Sequence, residues 1–219
     1  TANNFIPTAA ATLGSEFSVT LQNTNTAPTT VTINPGVEKI NDWYFIELLA
    51  GEIGNLTTDG TDWWWNSLNF QFIKPVIWST SSAQSDVTGD GTWFTHAPLS
   101  VTKQYGDCMN ATTGVWTCPV PGIYHLGIAN AASQFDNSHT RYAVQIATTD
   151  VNYNTHELDP GTGGYSTNNS AIRTYGAIRI AMDKGDVASF KFMVDGGSKV
   201  IDVTSSRIFV SLVSRTTDI

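Results

Sequence analysis

The apolar positions of this chain recur with a period of two. Phe17-Ser18-Val19-Thr20-Leu21 alternates apolar and polar, and Val31-Thr32-Ile33 repeats the alternation after the turn-rich residues 23–28. Such a period sends successive side chains to opposite faces of a strand, so the two segments read as a hairpin. The alternation returns in Tyr142-Ala143-Val144-Gln145-Ile146, Ile178-Arg179-Ile180, Phe190-Lys191-Phe192-Met193-Val194 and Ile208-Phe209-Val210-Ser211-Leu212-Val213, with Gly, Asn, Asp and Pro between. No segment sustains a capped helical period. Residues 43–49 fit a short helix or a buried strand, and periodicity does not arbitrate between the two. Many short strands at regular spacing imply an all-β sandwich, barrel or jelly roll.

A boundary falls near Lys74-Pro75, where an aromatic-rich segment ends and Val76-Ile77-Trp78 begins a new strand. Residues 1–74 are either a β-rich unit of their own or an arm that adds strands to the main sandwich or reaches a neighbouring subunit. Residues 75–219 form the principal domain. The longest turn-rich stretches, 79–91, 134–140 and 148–170, are the expected recognition loops, because long loops on a rigid β scaffold commonly carry binding.

Composition narrows the function. Only 14% of residues are charged, below the roughly 25% of an average domain, so the polar surface is mostly hydroxyl and amide. That surface suits extracellular proteins, shells and lattices. The net charge is −8, and 11 Lys plus Arg spread along the chain leave no basic stripe to neutralise a run of phosphates, so nucleic acid is not an expected partner. No apolar run approaches the roughly 20 residues that span a bilayer, and residues 1–5 lack the blocks of a signal peptide. Membrane insertion is not expected.

Residues 107–126 carry a specific pattern. In Asp107-Cys108-Met109-Asn110-Ala111-Thr112-Thr113-Gly114-Val115-Trp116-Thr117-Cys118-Pro119-Val120-Pro121-Gly122-Ile123-Tyr124-His125-Leu126, Pro119 and Pro121 donate no ladder bond and Gly122 permits a sharp turn, so the segment is a corner between strands. It resembles the signature hairpin of the C1q domain family, in which a turn ending in Gly leads to an aromatic residue and then to Pro-x-Pro-Gly-x-Tyr. Trp116, Cys118, Pro121, Gly122 and Tyr124 occupy the matching places, and Leu126 stands where that family usually has Phe. Downstream, Lys184-Gly185-Asp186 resembles the family's Gly-Asp turn, and residues 206–213 fall where its closing strand lies. The resemblance covers about residues 75–219. It implies a C1q/TNF-type jelly roll that closes as a homotrimer, with apolar and aromatic residues meeting around a threefold axis.

Candidate chemistry is sparse. His96, His125, His139 and His156 are scattered without metal-ligand spacing, and Gly-x-Ser-x-Gly is absent, so no enzyme activity is expected. Asp86 and Asp90, in Asp86-Val87-Thr88-Gly89-Asp90-Gly91, are candidate oxygen ligands for a hard cation such as calcium, and the segment equally reads as an Asp-Gly turn. Cys108 and Cys118 bracket a turn and are either bridged or two buried thiols. Trp63-Trp64-Trp65 puts successive indoles on alternating faces of a strand, so both faces need cover. The cover is the domain core with a neighbouring loop, a subunit interface, or a ligand on an aromatic platform.

Three functions fit. The first is a non-enzymatic virion decoration, spike or fibre-head protein in which residues 1–74 dock to the capsid or coat and the trimeric head meets a host-surface glycan or protein. The others are a secreted C1q-like recognition module and a subunit of an extracellular filament or coat. The expected location is the virion surface or the extracellular space.

Overall fold

A computed structural model of the chain describes residues 3–5, 10–15, 17–25, 31–36, 38–41, 46–68, 76–81, 83–104, 108–161 and 171–215. They fall into two compact units, one up to residue 68 and one from residue 76 onward.

In the smaller unit the elements are β1 (Asn3–Phe5), α1 (Ala10–Leu13), β2 (Ser18–Gln22), β3 (Val31–Ile33), β4 (Ile46–Leu48), β5 (Ile53–Thr58) and β6 (Trp63–Ser67). They make two three-stranded sheets, β1-β3-β4 and β2-β5-β6. The hairpin expected from residues 17–21 and 31–33 does not form. β2 pairs with β5, while β3 lies between β1 and β4. Alternation dictates which face a strand buries and leaves its partner open, and here more distant strands supply the complementary faces. Within residues 43–49 the strand alternative holds for 46–48, and residues 42–45 lie outside the described set. Ile33, Ile40, Ile46, Leu48, Leu56 and Trp63 form the core of this unit.

The larger unit contains β7 (Val76–Ser81), β8 (Gln84–Thr88), β9 (Phe94–Thr95), β10 (Leu99–Gln104), β11 (Met109–Asn110), β12 (Val115–Thr117), β13 (Gly122–Ser133), β14 (Arg141–Thr148), β15 (Asn152–Leu158), β16 (Ile172–Met182), β17 (Val187–Asp195) and β18 (Ile201–Arg215). One sheet runs β10-β7-β18-β13-β16 with β8 against β18. The other runs β11-β12-β17-β14-β15 with β9 against β17. Every pairing in both is antiparallel. From β12 onward the chain passes repeatedly between the sheets: β13, β16 and β18 belong to the first, and β14, β15 and β17 to the second. This crossing order is the jelly roll the sequence implied.

Its core takes in the inward positions that alternation marked in β14, β17 and β18, together with those of β13. Tyr124, Leu126 and Ile128 of β13 and Ile208, Val210 and Leu212 of β18 are fully buried, as are Tyr142, Val144 and Ile146 of β14 and Phe190, Phe192 and Val194 of β17. Each such side chain contributes about 1.5–3 kcal/mol by leaving water. One polar network threads this core. Asn130 Nδ2 donates to the Tyr142 hydroxyl at 2.9 Å, and that hydroxyl lies 2.6 Å from Thr174 Oγ1.

Two stretches read as loops are partly strand. β7 and β8 occupy most of residues 79–88, and β15 occupies 152–158; residues 162–170 lie outside the described set. β8 pairs only with β18, and β15 ends its sheet. Edge strands present polar side chains and avoid long apolar runs, so their composition imitates a loop. Residues 134–140 are a true connection between β13 and β14. Buried His139 holds it in shape by accepting the Asp136 amide on Nδ1 at 3.0 Å.

Candidate functional site

The signature residues gather at one end of the larger unit. β11 and β12 form a short hairpin whose turn ends in Gly114, with φ +69°. A side chain there would also collide with the His96 carbonyl, 2.3 Å from an added Cβ. Trp116 and Tyr124 pack edge to face with ring centroids 5.0 Å apart, both fully buried, and the Tyr124 hydroxyl donates to the Val120 carbonyl at 2.7 Å. Burial pushes the Tyr124 phenol well above its ordinary range. The turn at Gly185 and Asp186 closes the corner: the Cys118 amide donates to the Asp186 carbonyl at 2.7 Å, and the Gly185 amide to the Cys118 carbonyl at 2.9 Å. Gly122 serves for a different reason from the one its sequence suggested. It begins β13 without a left-handed backbone, and a Cβ would lie 2.5 Å from Leu212 Cδ1 and 2.6 Å from the Ser214 carbonyl oxygen. Close strand approach, rather than turn geometry, excludes a side chain.

Cys108 and Cys118 are buried thiols and not a disulfide. The Cys118 thiol donates to the Val120 carbonyl at 3.1 Å, and burial pushes its pKa up to about 12. Both cysteines lie buried beside the corner.

The Trp63, Trp64 and Trp65 run is split by β6. Trp63 is fully buried and Trp65 packs against the same core, whereas Trp64 is 47% exposed on the other face. Each indole N–H meets a carboxylate: Trp63 donates to Glu38 at 2.7 Å, Trp64 to Asp59 at 3.4 Å and Trp65 to Glu52 at 3.4 Å. Asp86 ends its amide on Asp202 Oδ1 at 3.0 Å, and Asp90 Oδ1 accepts the Thr92 amide at 3.1 Å. The bonds from Thr92 hold the Asp90 carboxyl below its usual range. Asp90 therefore caps a turn, and among the described residues no three His, Cys, Asp or Glu side chains gather to hold a metal.

The outward face of the first sheet carries a second constellation, on β13, β16 and β18. Register aligns it in rungs: Arg179, His125 and Ser211; Ala177, Gly127 and Phe209; Tyr175, Ala129 and Arg207; Arg173, Ala131 and Ser205. Phe209 lies flat over Gly127, where an added Cβ would fall 1.9 Å from the ring. Tyr175 stacks on Phe209 at 6.0 Å with planes 13° apart, and His125 meets the opposite side edge-on at 5.1 Å. Tyr175 nevertheless remains 57% exposed. A groove of about 320 Å³ opens beside it, floored by Ala129 and Ala131 and walled by Arg173, Ser205 and Arg207.

Sequence reasoning passed over this face. Its signal was present in Arg173-Thr174-Tyr175-Gly176-Ala177-Ile178-Arg179, where alternation puts an aromatic ring on the polar side of a strand. An aromatic residue among outward positions marks a covered or binding face.

Strand order and the Trp116–Tyr124 corner together define the larger unit as an antiparallel jelly roll of two sheets. No family model matches the chain, and no curated protein matches it. Among solved structures the chain is similar to the globular domain of zebrafish complement 1qA protein, at 18% identity and TM-score 0.47 over 65% of this chain and 100% of that one. It is also similar to PRD1 vertex protein P5, at 11% identity and TM-score 0.45 over 64% and 98%. A third is the Eiger TNF of S. frugiperda, at 13% identity and TM-score 0.41 over 66% and 97%.

Proposed function

We propose that the chain is a non-enzymatic subunit of a virion or other extracellular surface assembly, a decoration, spike or fibre-head protein. In this reading the larger unit trimerises through the outward face of β13, β16 and β18, and residues 1–74 anchor the trimer to a capsid or coat protein. A host-surface glycan or protein is the partner of the free end. The observation that carries the reading is Tyr175, which stacks on Phe209 on the outward face of the first sheet yet is 57% exposed. Gly127, Ala129, Ala131 and Ala177 put small side chains around it, so the backbone of this face is open to close approach by a second copy. The histidines support a structural role: His96 and His139 are buried in the larger unit, and His125 packs on Phe209.

Light scattering after size exclusion tests the assembly. The parent elutes at three chain masses and Tyr175→Glu at one, with an unchanged far-ultraviolet circular dichroism spectrum. A parent that is monomeric at micromolar concentration overturns the reading. Removal of residues 1–74 is expected to abolish incorporation into the native particle while leaving a folded trimer, and immunogold labelling of the particle locates the chain.

A further inference from the structure

We infer that the groove between Arg173 and Arg207 binds a tetrahedral oxyanion, and that in the trimer proposed above this ion holds the arginine-bearing faces together. The inference about assembly rests on that reading, whereas anion binding by the groove does not.

The argument begins with charge. A chain of net charge −8 places Arg173, Arg179 and Arg207 on one face of one sheet. β13 and β16 contain no Asp or Glu, and the lone carboxylate of β18, Asp202, lies at the Ser205 end of the strand, where it accepts the Asp86 amide at 3.0 Å. Among the described residues none of these three arginines has an ion-pair or hydrogen-bond partner. The contrast is Arg141, which donates to Glu157 at 2.8 Å. Three arginines without an ion pair among the described residues form a local positive field in an acidic protein.

Shape supplies the second step. Ala131 stands in register between Arg173 and Ser205, and Ala129 between Tyr175 and Arg207. Two small residues on the central strand thus leave a trough of about 320 Å³ with one guanidinium rooted on each side and the Ser205 hydroxyl on the wall. Guanidinium forks match the paired oxygens of sulfate or phosphate, and such charge-assisted bonds are roughly twice as strong as neutral ones. Aromatic surface at Tyr175 and Phe209 borders the trough and limits solvent on one side.

Assembly supplies the third. Packing this face against other copies brings several arginines of like sign into one partly dehydrated space, where their repulsion is screened less than in water. On β13, β16 and β18 the one carboxylate, Asp202, is already engaged by the Asp86 amide. A divalent oxyanion in each groove converts that repulsion into a shared attraction, and a site of about 1 mM affinity at about 10 mM ligand favours the occupied state about tenfold.

The experiment uses the full chain and inorganic sulfate, with sodium chloride of equal ionic strength as reference. Calorimetric titration of sulfate is expected to give a saturable heat for the parent, absent in Arg173→Gln/Arg207→Gln and retained in Arg141→Gln. Sedimentation equilibrium is expected to show association of the parent on the order of tenfold tighter in sulfate than in chloride, and association of the double variant indifferent to the salt. No saturable heat in the parent, or the same heat and sulfate dependence in the double variant, overturns the inference. Parent heat with monomers in both salts upholds the anion site and overturns the trimer instead. A parent trimer equally tight in both salts upholds the trimer and overturns the ion's part in it.

Discussion

His96 makes the larger unit sensitive to acid, and the size of the effect follows from where the ring lies. The imidazole is fully buried, stacked on Phe192 and edge-on to Phe94, each with centroids 5.4 Å away. Neither ring nitrogen has a hydrogen-bond partner. Burial without a counter-charge lowers its pKa to about 3 from the ordinary 6.5. The unfolded chain takes up a proton below about pH 6.5 and the folded chain does not, so the unfolded state binds more protons and stability falls as pH falls. Well below pH 6.5 each unit costs about 1.4 kcal/mol; the unfolded imidazole is half protonated at pH 6.5, so the loss between pH 6.5 and 5 is about 1.6 kcal/mol. In that window carboxylates contribute little, since they titrate nearer pH 4. His96→Phe keeps an aromatic ring between Phe94 and Phe192 and removes the titration. Hydrogen exchange of the β17 segment reports opening of the unit, and comparing parent with variant at each pH cancels the intrinsic pH dependence of exchange. The parent should lose protection relative to the variant by roughly 16-fold from pH 6.5 to 5, equivalent to that free-energy difference. A parent-to-variant ratio constant across the window refutes the assignment.

Other outcomes follow from the corner. Gly122→Val forces a side chain into the space held by Leu212 and the Ser214 carbonyl and should cost about 2 kcal/mol or more in a denaturant titration. Tyr124→Ala empties a fully buried site and should cost about 3–5 kcal/mol. Tyr124→Phe leaves the Val120 carbonyl without its 2.7 Å donor and should cost about 1–3 kcal/mol. Cys118, with its pKa pushed up to about 12, should resist iodoacetamide at pH 8 in the native protein and react fully once unfolded, as mass spectrometry will show.

Much of the larger unit was legible because alternation reports burial directly. The inward sets of β14, β17 and β18 are the apolar sets of the sequence, and the spacing from Trp116 to Tyr124 located the corner before any strand was paired. Pairing in the smaller unit was not legible. β2 is half-buried, with Val19 and Leu21 on its inner face, and nothing local in 17–21 chooses β5 over β3. The outward face was missed for a related reason: Tyr175 and Phe209 lie 34 positions apart in the sequence, and only the rungs linking β16 and β18 through β13 bring them together. Gly122 shows a subtler gap. The residue type was marked as special, but its cause, a backbone from the chain's end passing within 2.6 Å of the absent Cβ, belongs to the closed sheet.

The pairing of β7 with β18 has a consequence for biosynthesis. The strand at 76–81 leaves the ribosome more than a hundred residues before its partner at 201–215, so the first sheet has no complete middle until β18 has been synthesised. Its early strands must wait with open edges, and closure depends on contacts of long sequence separation, which form slowly and expose nascent chains to mispairing. Truncation within the last fifteen described residues therefore removes the staple between the beginning and the middle of the jelly roll, and a ribosome that stalls there leaves an adhesive intermediate rather than a smaller domain.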